Sequence, residues 1–490
     1  MMTLTEIRQA TQAVVNGDDG RQFTDIVTDS RRISDGVLFI ALKGEKFDGA
    51  DFVQDAVKKG ATGIMIREDC PHEKTAGLTV PVLKVPDTLT AYQQIARVWR
   101  DKFSLPVIAI TGSNGKTTTK DLTAAVLSAK GKVHKTHANF NNEIGLPLTL
   151  LGIDESHAYA VTEIGMRGLH QIEAMAKIAR PTMGIVTNVG ETHLELLGSI
   201  ENIALAKSEL VAAIPAGGHV ILNVDDARVA AMREVAQPGV NIITYGIDNP
   251  ADIRAEAVRT ENDATKFMIT RQGERHEYIL PLVGRHNVYD ALAAVAAGFA
   301  LGLTAEEIHD GLLKLERTGM RFAIEDRGLY NVVNDAYNAS PLSMRAAIET
   351  MSSLAVGGKI AVLGDMLELG DSAPHLHEEI GELLGKYNFS ALITYGELAK
   401  HIAEGAKIAG VAKVYSADSH QDAAKKLQEI MRPCDTILFK GSRGMQMEKI
   451  IDLVDWTAGV GTKSESGEIL TECAESVADT VSDLVGEVIQ

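Results

Sequence analysis

Short, almost unbroken apolar runs alternate along the chain with amphipathic stretches, the pattern of strand–helix–strand units. The clearest runs are PVIAI from Pro106, AYAVTEIG from Ala158, MGIVTNVG from Met183 and GHVILNVDD from Gly218. A run with no polar face suits a strand covered on both sides of a parallel sheet. Helical patterns separate these runs, so residues 105–318 are expected to form a central, doubly wound α/β domain of the phosphate-loop type. Before it, residues 1–104 carry GVLFIAL and GIMI with the helical stretch DFVQDAVKKG between them, an N-terminal α/β unit. After it, LYNVVNDAY, KIAVLGDM, ALITYG and DTILFKGSRG again alternate with helices. They predict a smaller, Rossmann-like α/β domain over residues 319–456. Residues 457–490 read differently. GVGTKSESGE is linker-like, and Ile469, Cys473, Val477, Val481, Leu484 and Val488 then recur at helical spacing among acids. An acidic amphipathic helix and a loose terminus are both open for this tail.

Length agrees with this division, since 490 residues at ~150 per domain give about three domains. The net charge of −18 argues against generic binding to nucleic acid or to an anionic membrane surface. Cys70, Cys434 and Cys473 have no metal-ligand spacing and suggest no disulfide framework, which fits a reducing compartment. The N-terminal MMTLTEIRQATQAVV lacks the apolar core of a signal peptide. The weakly polar run from Ala291 is too short and too rich in Ala and Gly to span a bilayer. A cytoplasmic protein without membrane insertion is expected.

The candidate chemistry begins at AITGSNGKTTTK, from Ala109 to Lys120. Its Gly-Lys-Thr fits a phosphate-binding loop, but Ile110 stands where the usual spacing wants a glycine. A buried strand ends at Ile110, Gly112 and Gly115 permit a tight turn, and a helix is expected from Lys116 to near Gly131. Backbone N–H groups and the helix N-terminus then converge where a phosphate is favoured. Lys116 is placed to reach the β/γ-phosphates, and the Thr117 hydroxyl suits Mg²⁺. A plain strand–turn–helix joint would use the same glycines, so the neighbours matter. Asn139, Asn141, Asn142 and Glu143 form a dense polar loop. Glu163 ends one apolar run and His193 follows another. In an open α/β sheet ligands gather at such strand ends, so both should face the crevice of the loop. Glu163 is a hard oxygen donor suited to Mg²⁺.

In order, TGSNGKTTT, NFNNEIGLPLT, EIGM, NVGETHLE, AKSEL, GRHNVYDALAA, NDAYNASPLSM, LGDMLELG and KGSRGM resemble the Mur ligase family. These are ATP-dependent amide-bond-forming enzymes of peptidoglycan precursor synthesis. The likeness covers about residues 24–456, and the shortened loop is that family's form of the motif. LGDMLELG, NDAYNASP and the N-terminal TDSRRISDGVLFIALKGEKFDGADF are similar to the subtype that adds D-alanyl-D-alanine to a UDP-N-acetylmuramoyl-tripeptide.

The resemblance implies roles for particular residues. Thr28, Asp29, Ser30 and Arg31 would help hold the uridine nucleotide in the N-terminal domain. Gly112, Ser113, Asn114, Gly115, Lys116, Thr117 and Thr118 would hold the ATP phosphates. Asn139, Asn141, Asn142 and Glu143 would flank the muramoyl-peptide and metal region. Thr117 and Glu163 would ligate the Mg²⁺ shared with ATP, and His193 a second Mg²⁺. Lys207 stands where the family has an N6-carboxylysine, in which CO₂ turns a cation into an anion beside the metals. Asn287 would meet adenine, with His286 shaping its pocket. The family's further Asn is Asp290 here, which puts that adenine contact in doubt. Arg321 and Asp335 would meet phosphate and ribose when the last domain closes, with Asn338, Ser340 and Pro341 in the same loop. Lys440, Ser442 and Arg443 would project toward the dipeptide or the γ-phosphate. Ala50 stands where a His is common, and the acidic tail lies outside the pattern.

The implied reaction passes the γ-phosphoryl group of ATP to the tripeptide carboxylate, and the dipeptide amine then displaces phosphate. Lys116, His193, Lys207 and Arg321 are its candidate catalytic residues. Small-molecule substrates, no nucleic acid and a monomer are implied with it. The alternatives are a sister ligase adding the third amino acid, a folylpolyglutamate synthetase, against which DSRR and NNEIG speak, and a non-catalytic nucleotide-binding protein of the same fold.

Overall fold

The computed structural model describes residues 1–15, 20–261, 263–316, 319–355 and 357–457. The six apolar tail positions from Ile469 onward lie outside the described residues.

Three sheets form in chain order, one in each of the N-terminal, middle and C-terminal domains. The N-terminal sheet runs Val14–Val15, Val82–Val85, Gly63–Arg67, Leu38–Ile40, Ile26–Val27, parallel except for its first pair. Ala50, in place of the expected His, is buried in this domain's core.

The middle sheet has nine strands. Within it Val107–Thr111 lies between Tyr159–Glu163 and Met183–Val186, all parallel. Every residue of Val107–Thr111 is buried, because helices cover both faces. The Ala-rich run from Ala291 belongs to the helix Arg285–Ala300, which packs on the helix Lys116–Leu127. Small residues permit the close approach: a Cβ on Gly298 would come within 2.8 Å of Val126. The run is thus a core helix, and among the described residues no helix is long and apolar enough to cross a membrane.

The C-terminal sheet has six strands, in the order Ala323–Asp326, Asn331–Asp335, Thr436–Lys440, Lys359–Gly364, Ala391–Tyr395, Lys413–Ala417. The four apolar runs read from the sequence are its central strands. Its first strand is antiparallel.

Two features differ from the reading of the sequence. The strands Ile253–Glu261, Ala264–Arg271 and Glu274–Leu280 form an antiparallel meander on the edge of the middle sheet. Its second turn places Gln272 and Gly273 at φ 53° and 85°, as a two-residue hairpin turn requires. The helix after the phosphate loop stops at Leu127, short of Gly131, where a Cβ would press on Ala158. Cys70 is free, and Cys473 lies outside the described residues.

Candidate active site

The carboxyl ends of the middle and C-terminal strands face each other across a cleft of about 1440 Å³. Gly112 to Thr118, Asn139, Asn141, Asn142, Glu143, Glu163, His193, Lys207 and Asn287 line its middle-domain wall. Arg321, Asp335, Asn338, Ser340, Lys440, Ser442 and Arg443 line the opposite wall. Asp29, Ser30 and Arg31 are elsewhere, on an exposed turn of the N-terminal domain. There Arg31 pairs with Asp29 at 2.7 Å, and this bonding lowers the Asp29 pKa to about 2.

The phosphate loop is held open from below. Gly112 and Gly115 adopt φ 154° and 81°, the left-handed region that glycine enters without strain. Ser113 N donates to the Asn188 carbonyl at 3.0 Å, and Asn114 N to Asn188 Oδ1 at 2.9 Å. Lys116 Nζ donates to the carbonyls of Gly112 and Ser113 at 2.7 and 3.1 Å. Burial lowers its pKa, opposed by Glu163.

Thr117 is the meeting point of the two walls. Its hydroxyl donates to Glu163 Oε2 at 2.8 Å and accepts from Arg321 Nη2 at 2.9 Å. Asn141 Nδ2 donates to the other Glu163 oxygen at 2.7 Å. Arg321 stacks over Tyr337, 4.1 Å from the ring centroid, and Met320 and Phe322 on either side of it take left-handed backbone at φ 58° and 50°. Ser340 Oγ donates to Asn114 Oδ1 at 2.9 Å while capping the helix Pro341–Leu354.

Lys207 lies in the helix Ile200–Ala213 and is 2% exposed. Its pKa is pushed well down, first by burial and then by the charge on Lys116. It makes no hydrogen bond or ion pair with a described residue. His193 Nδ1 pairs with Glu368 of the C-terminal domain. Burial lowers the His193 pKa against the pull of that carboxylate.

Asp290 does something that its doubtful place at adenine did not suggest. It accepts from Thr119 Oγ1 at 3.0 Å, and a Cβ on Gly115 would lie 2.3 Å from its Oδ1. It therefore props the loop from beneath. Complete burial raises its pKa to about 8. The folded state thus holds a proton that the unfolded chain releases near pH 4, so this group's contribution to stability falls as pH rises through that window and levels off above about 8. Asp290→Asn keeps an acceptor for Thr119 and removes the slope. Its melting temperature, relative to the unsubstituted protein, should rise between pH 5 and pH 8 by at least roughly 2–4 °C, the shift that about 1 kcal/mol produces in a domain of this size. A pH-independent difference in a thermal melt would contradict the raised pKa.

Asn287 Nδ2 donates to the Val283 carbonyl at 2.7 Å, which leaves its oxygen and second amide proton for a ligand. Half-buried His286 packs edge-on to Phe322, and desolvation lowers its pKa to about 4, so the ring is neutral at pH 7. Three residues expected to project are occupied. Lys440 Nζ, 2% exposed, is held by Asp335 Oδ2 at 2.5 Å and by the Asn338 carbonyl at 2.9 Å. Ser442 Oγ accepts from Leu367 N at 2.9 Å. Arg443 pairs with Glu448 at 2.7 Å. The first two brace the loops around the cleft. Asn188, Glu368 and Tyr337 carry no local signal that singles them out, although all three sit inside the apolar runs and motifs of the sequence.

A phosphate loop at the carboxyl end of a strand with parallel neighbours on both sides, facing an arginine from a second α/β domain, defines an ATP-dependent ligase of the three-domain type. Residues 22–100 match the Mur ligase family catalytic domain, residues 110–298 the Mur ligase middle domain and residues 320–443 the Mur ligase glutamate ligase domain. The chain belongs to the Mur ligase family. It is 39% identical to the UDP-N-acetylmuramoyl-tripeptide--D-alanyl-D-alanine ligase of Bacillus subtilis, over 91% of this chain and 95% of that one. With the ligase of that name from Escherichia coli it shares 32%, over 89% and 96%. Among solved structures, MurF from Acinetobacter baumannii superimposes with a TM-score of 0.84 at 33% identity, covering 92% of this chain and 98% of that one. MurF ligase from Thermotoga maritima in complex with ADP gives 0.78 at 27%, covering 88% and 96%.

Proposed function

We propose that this chain joins D-alanyl-D-alanine to the peptide of UDP-N-acetylmuramoyl-tripeptide, consuming ATP and releasing ADP and phosphate. The observation that carries the reading is the single cleft in which the phosphate loop, the Thr117–Glu163 pair and buried Lys207 face Arg321 and Ser340. Whole-length likeness to ligases named for this reaction supports the choice of substrates. In this reading residues 1–104 take the uridine nucleotide, residues 105–318 take ATP, and residues 319–456 bring the dipeptide. The chain works as a cytoplasmic monomer on small molecules.

Two anions must meet in the first step, as the tripeptide carboxylate attacks the γ-phosphorus and ADP leaves. Lys116 swings from its loop carbonyls to the phosphates, and Arg321 shifts from the Thr117 hydroxyl to the same charge. Both lie in a cleft where such charges act strongly. The dipeptide amine then attacks the acyl phosphate, losing a proton as the amide forms and phosphate departs. Docking of the C-terminal domain keeps water from the acyl phosphate. Asn338 and Arg443 stand on the wall from which the dipeptide arrives.

The residues also fit Mg²⁺. The Thr117 hydroxyl and the Glu163 carboxylate, 2.8 Å apart at the phosphate loop, are hard oxygen donors of the kind this cation takes in small number, sharing the rest with phosphate and water. Thr117 and Glu163 would hold one such ion and His193 a second, and the ions would supply neutralisation of phosphate charge. Lys207, as N6-carboxylysine, would add an anion where an ammonium would repel them.

Phosphate release measured with ATP, the UDP-linked tripeptide and D-alanyl-D-alanine tests the reading. Release should require all three together. Release with a UDP-linked dipeptide and a free diamino acid instead would identify the sister ligase, and no release with any set would identify a binding protein.

A further inference from the structure

We propose that Glu368 is a positioning residue lent by the C-terminal domain: it fixes the His193 imidazole of the middle domain, so that this wall of the cleft is complete only when the two domains are docked. The inference rests on the ligase reading above.

Glu368 makes three contacts with the middle domain. One carboxylate oxygen meets His193 Nδ1. The other lies 3.7 Å from Arg167 Nη2. Its backbone carbonyl accepts from Glu195 N at 3.2 Å. The loop that presents it is braced from its own domain. Leu367 N donates to Ser442 Oγ at 2.9 Å, Ser442 N donates to the Asp365 carbonyl at 2.9 Å, and Met366 N donates to His377 Nε2 at 2.9 Å. Glu368 and His193 themselves adopt φ 63° and 57°, a left-handed backbone that non-glycine residues keep only where surrounding contacts impose it.

The chemistry follows from what each group can do. An ionised carboxylate only accepts, so Nδ1 must carry the proton, and the neutral ring keeps its Nε2 lone pair. A carboxylate behind an imidazole fixes the ring's orientation and its tautomer. His193 lines the cleft, so Nε2 is the nitrogen left to serve the site. Without Glu368 the ring is free to turn and to carry its proton on either nitrogen. The coupling is specific to the docked arrangement, because donor and acceptor belong to different domains.

The test uses full-length protein and the variants Glu368→Ala and Glu368→Gln. Nitrogen-15 NMR of the histidine rings in ligand-free protein, assigned with His193→Gln, reads the tautomer. Kinetics with all three substrates and a thermal melt accompany it. In the unsubstituted protein His193 should be the Nδ1–H form. Glu368→Ala should lose that single form and lower kcat about 10–100-fold, the range for groups that orient a ligating side chain, with little change in KM. Glu368→Gln still offers an oxygen to Nδ1–H and should keep the tautomer and most of kcat. An unchanged tautomer or unchanged kcat in Glu368→Ala overturns the proposal. So does a loss in both variants that merely follows a lower melting temperature. If the unsubstituted protein releases no phosphate, the ligase reading falls, while the NMR result still decides whether Glu368 sets the His193 tautomer.

Discussion

Lys116→Ala is expected to lower turnover roughly 10²-fold or more, the cost of losing one donor aimed at developing charge, while leaving the fold intact. The reason lies in where the ammonium sits. Lys116 is half-buried, its pKa is lowered chiefly by desolvation, and its only hydrogen-bond partners among the described residues are the Gly112 and Ser113 carbonyls of its own loop. A cation kept at such a desolvation cost contributes little to stability, since the folded state disfavours its charged form. It becomes favourable when triphosphate arrives and two anions must approach. Activity and stability should therefore separate. Phosphate release should collapse, whereas the melting temperature should hold or rise. Near-normal release by the variant would remove the phosphate-loop assignment, and a large fall in melting temperature would contradict the energetic argument.

What the sequence made legible was set by burial on both faces. Val107–Thr111, Tyr159–Glu163 and Met183–Val186 are apolar because helices cover both sides, and that leaves an unbroken signal. The meander from Ile253 to Leu280 has one solvent face, so its alternation is diluted by Arg, Glu and Lys, and its Gln-Gly turn is weaker than Asn-Gly. The same logic applies to the cleft. Loop positions such as Gly112 and Lys116 were readable because their spacing along the chain is local. Contacts between domains have no such spacing. Glu368 and His193 are 175 residues apart, and Thr117 and Arg321 are 204 apart. Nor does a motif say which of its polar side chains will be spent on its own scaffold. Lys440 and Ser442 looked free in FKGSRG, yet parallel pairing of Asn331–Asp335 and Lys359–Gly364 with Thr436–Lys440 brings Asp335 and the Leu367 amide against them. Asp290 shows the converse: the departure from the family's Asn made sense only once Thr119 and Gly115 were seen beside it.

Lys207→Ala should cost about 10–100-fold in turnover, as loss of a group that orients or completes a metal site does, and short-chain carboxylic acids should restore part of it. The premise is that Lys207 is present as its carbamate. The reaction balances simply: a neutral amine adds to CO₂ and one proton is released. Only the neutral amine reacts, and the site favours that form, because burial and the Lys116 charge push the Lys207 pKa well down. An unmodified ammonium there has no partner among the described residues and faces a second cation, an arrangement that costs free energy without return. Carbamylation reverses the sign of the charge, offers Lys116 an attractive neighbour and supplies oxygen donors of the kind Mg²⁺ prefers. The sign with pH also follows. Acidification protonates the amine, releases CO₂ and should lower activity, and added bicarbonate should oppose that loss in the unsubstituted protein but not in Lys207→Ala. Carbon-13 NMR with labelled bicarbonate gives a direct reading: a carbamate resonance is expected in the unsubstituted protein and none in the variant. Full activity of Lys207→Ala without added acid, or no labelled resonance in the active protein, would remove the modification and leave Lys207 as a buried lysine of the scaffold.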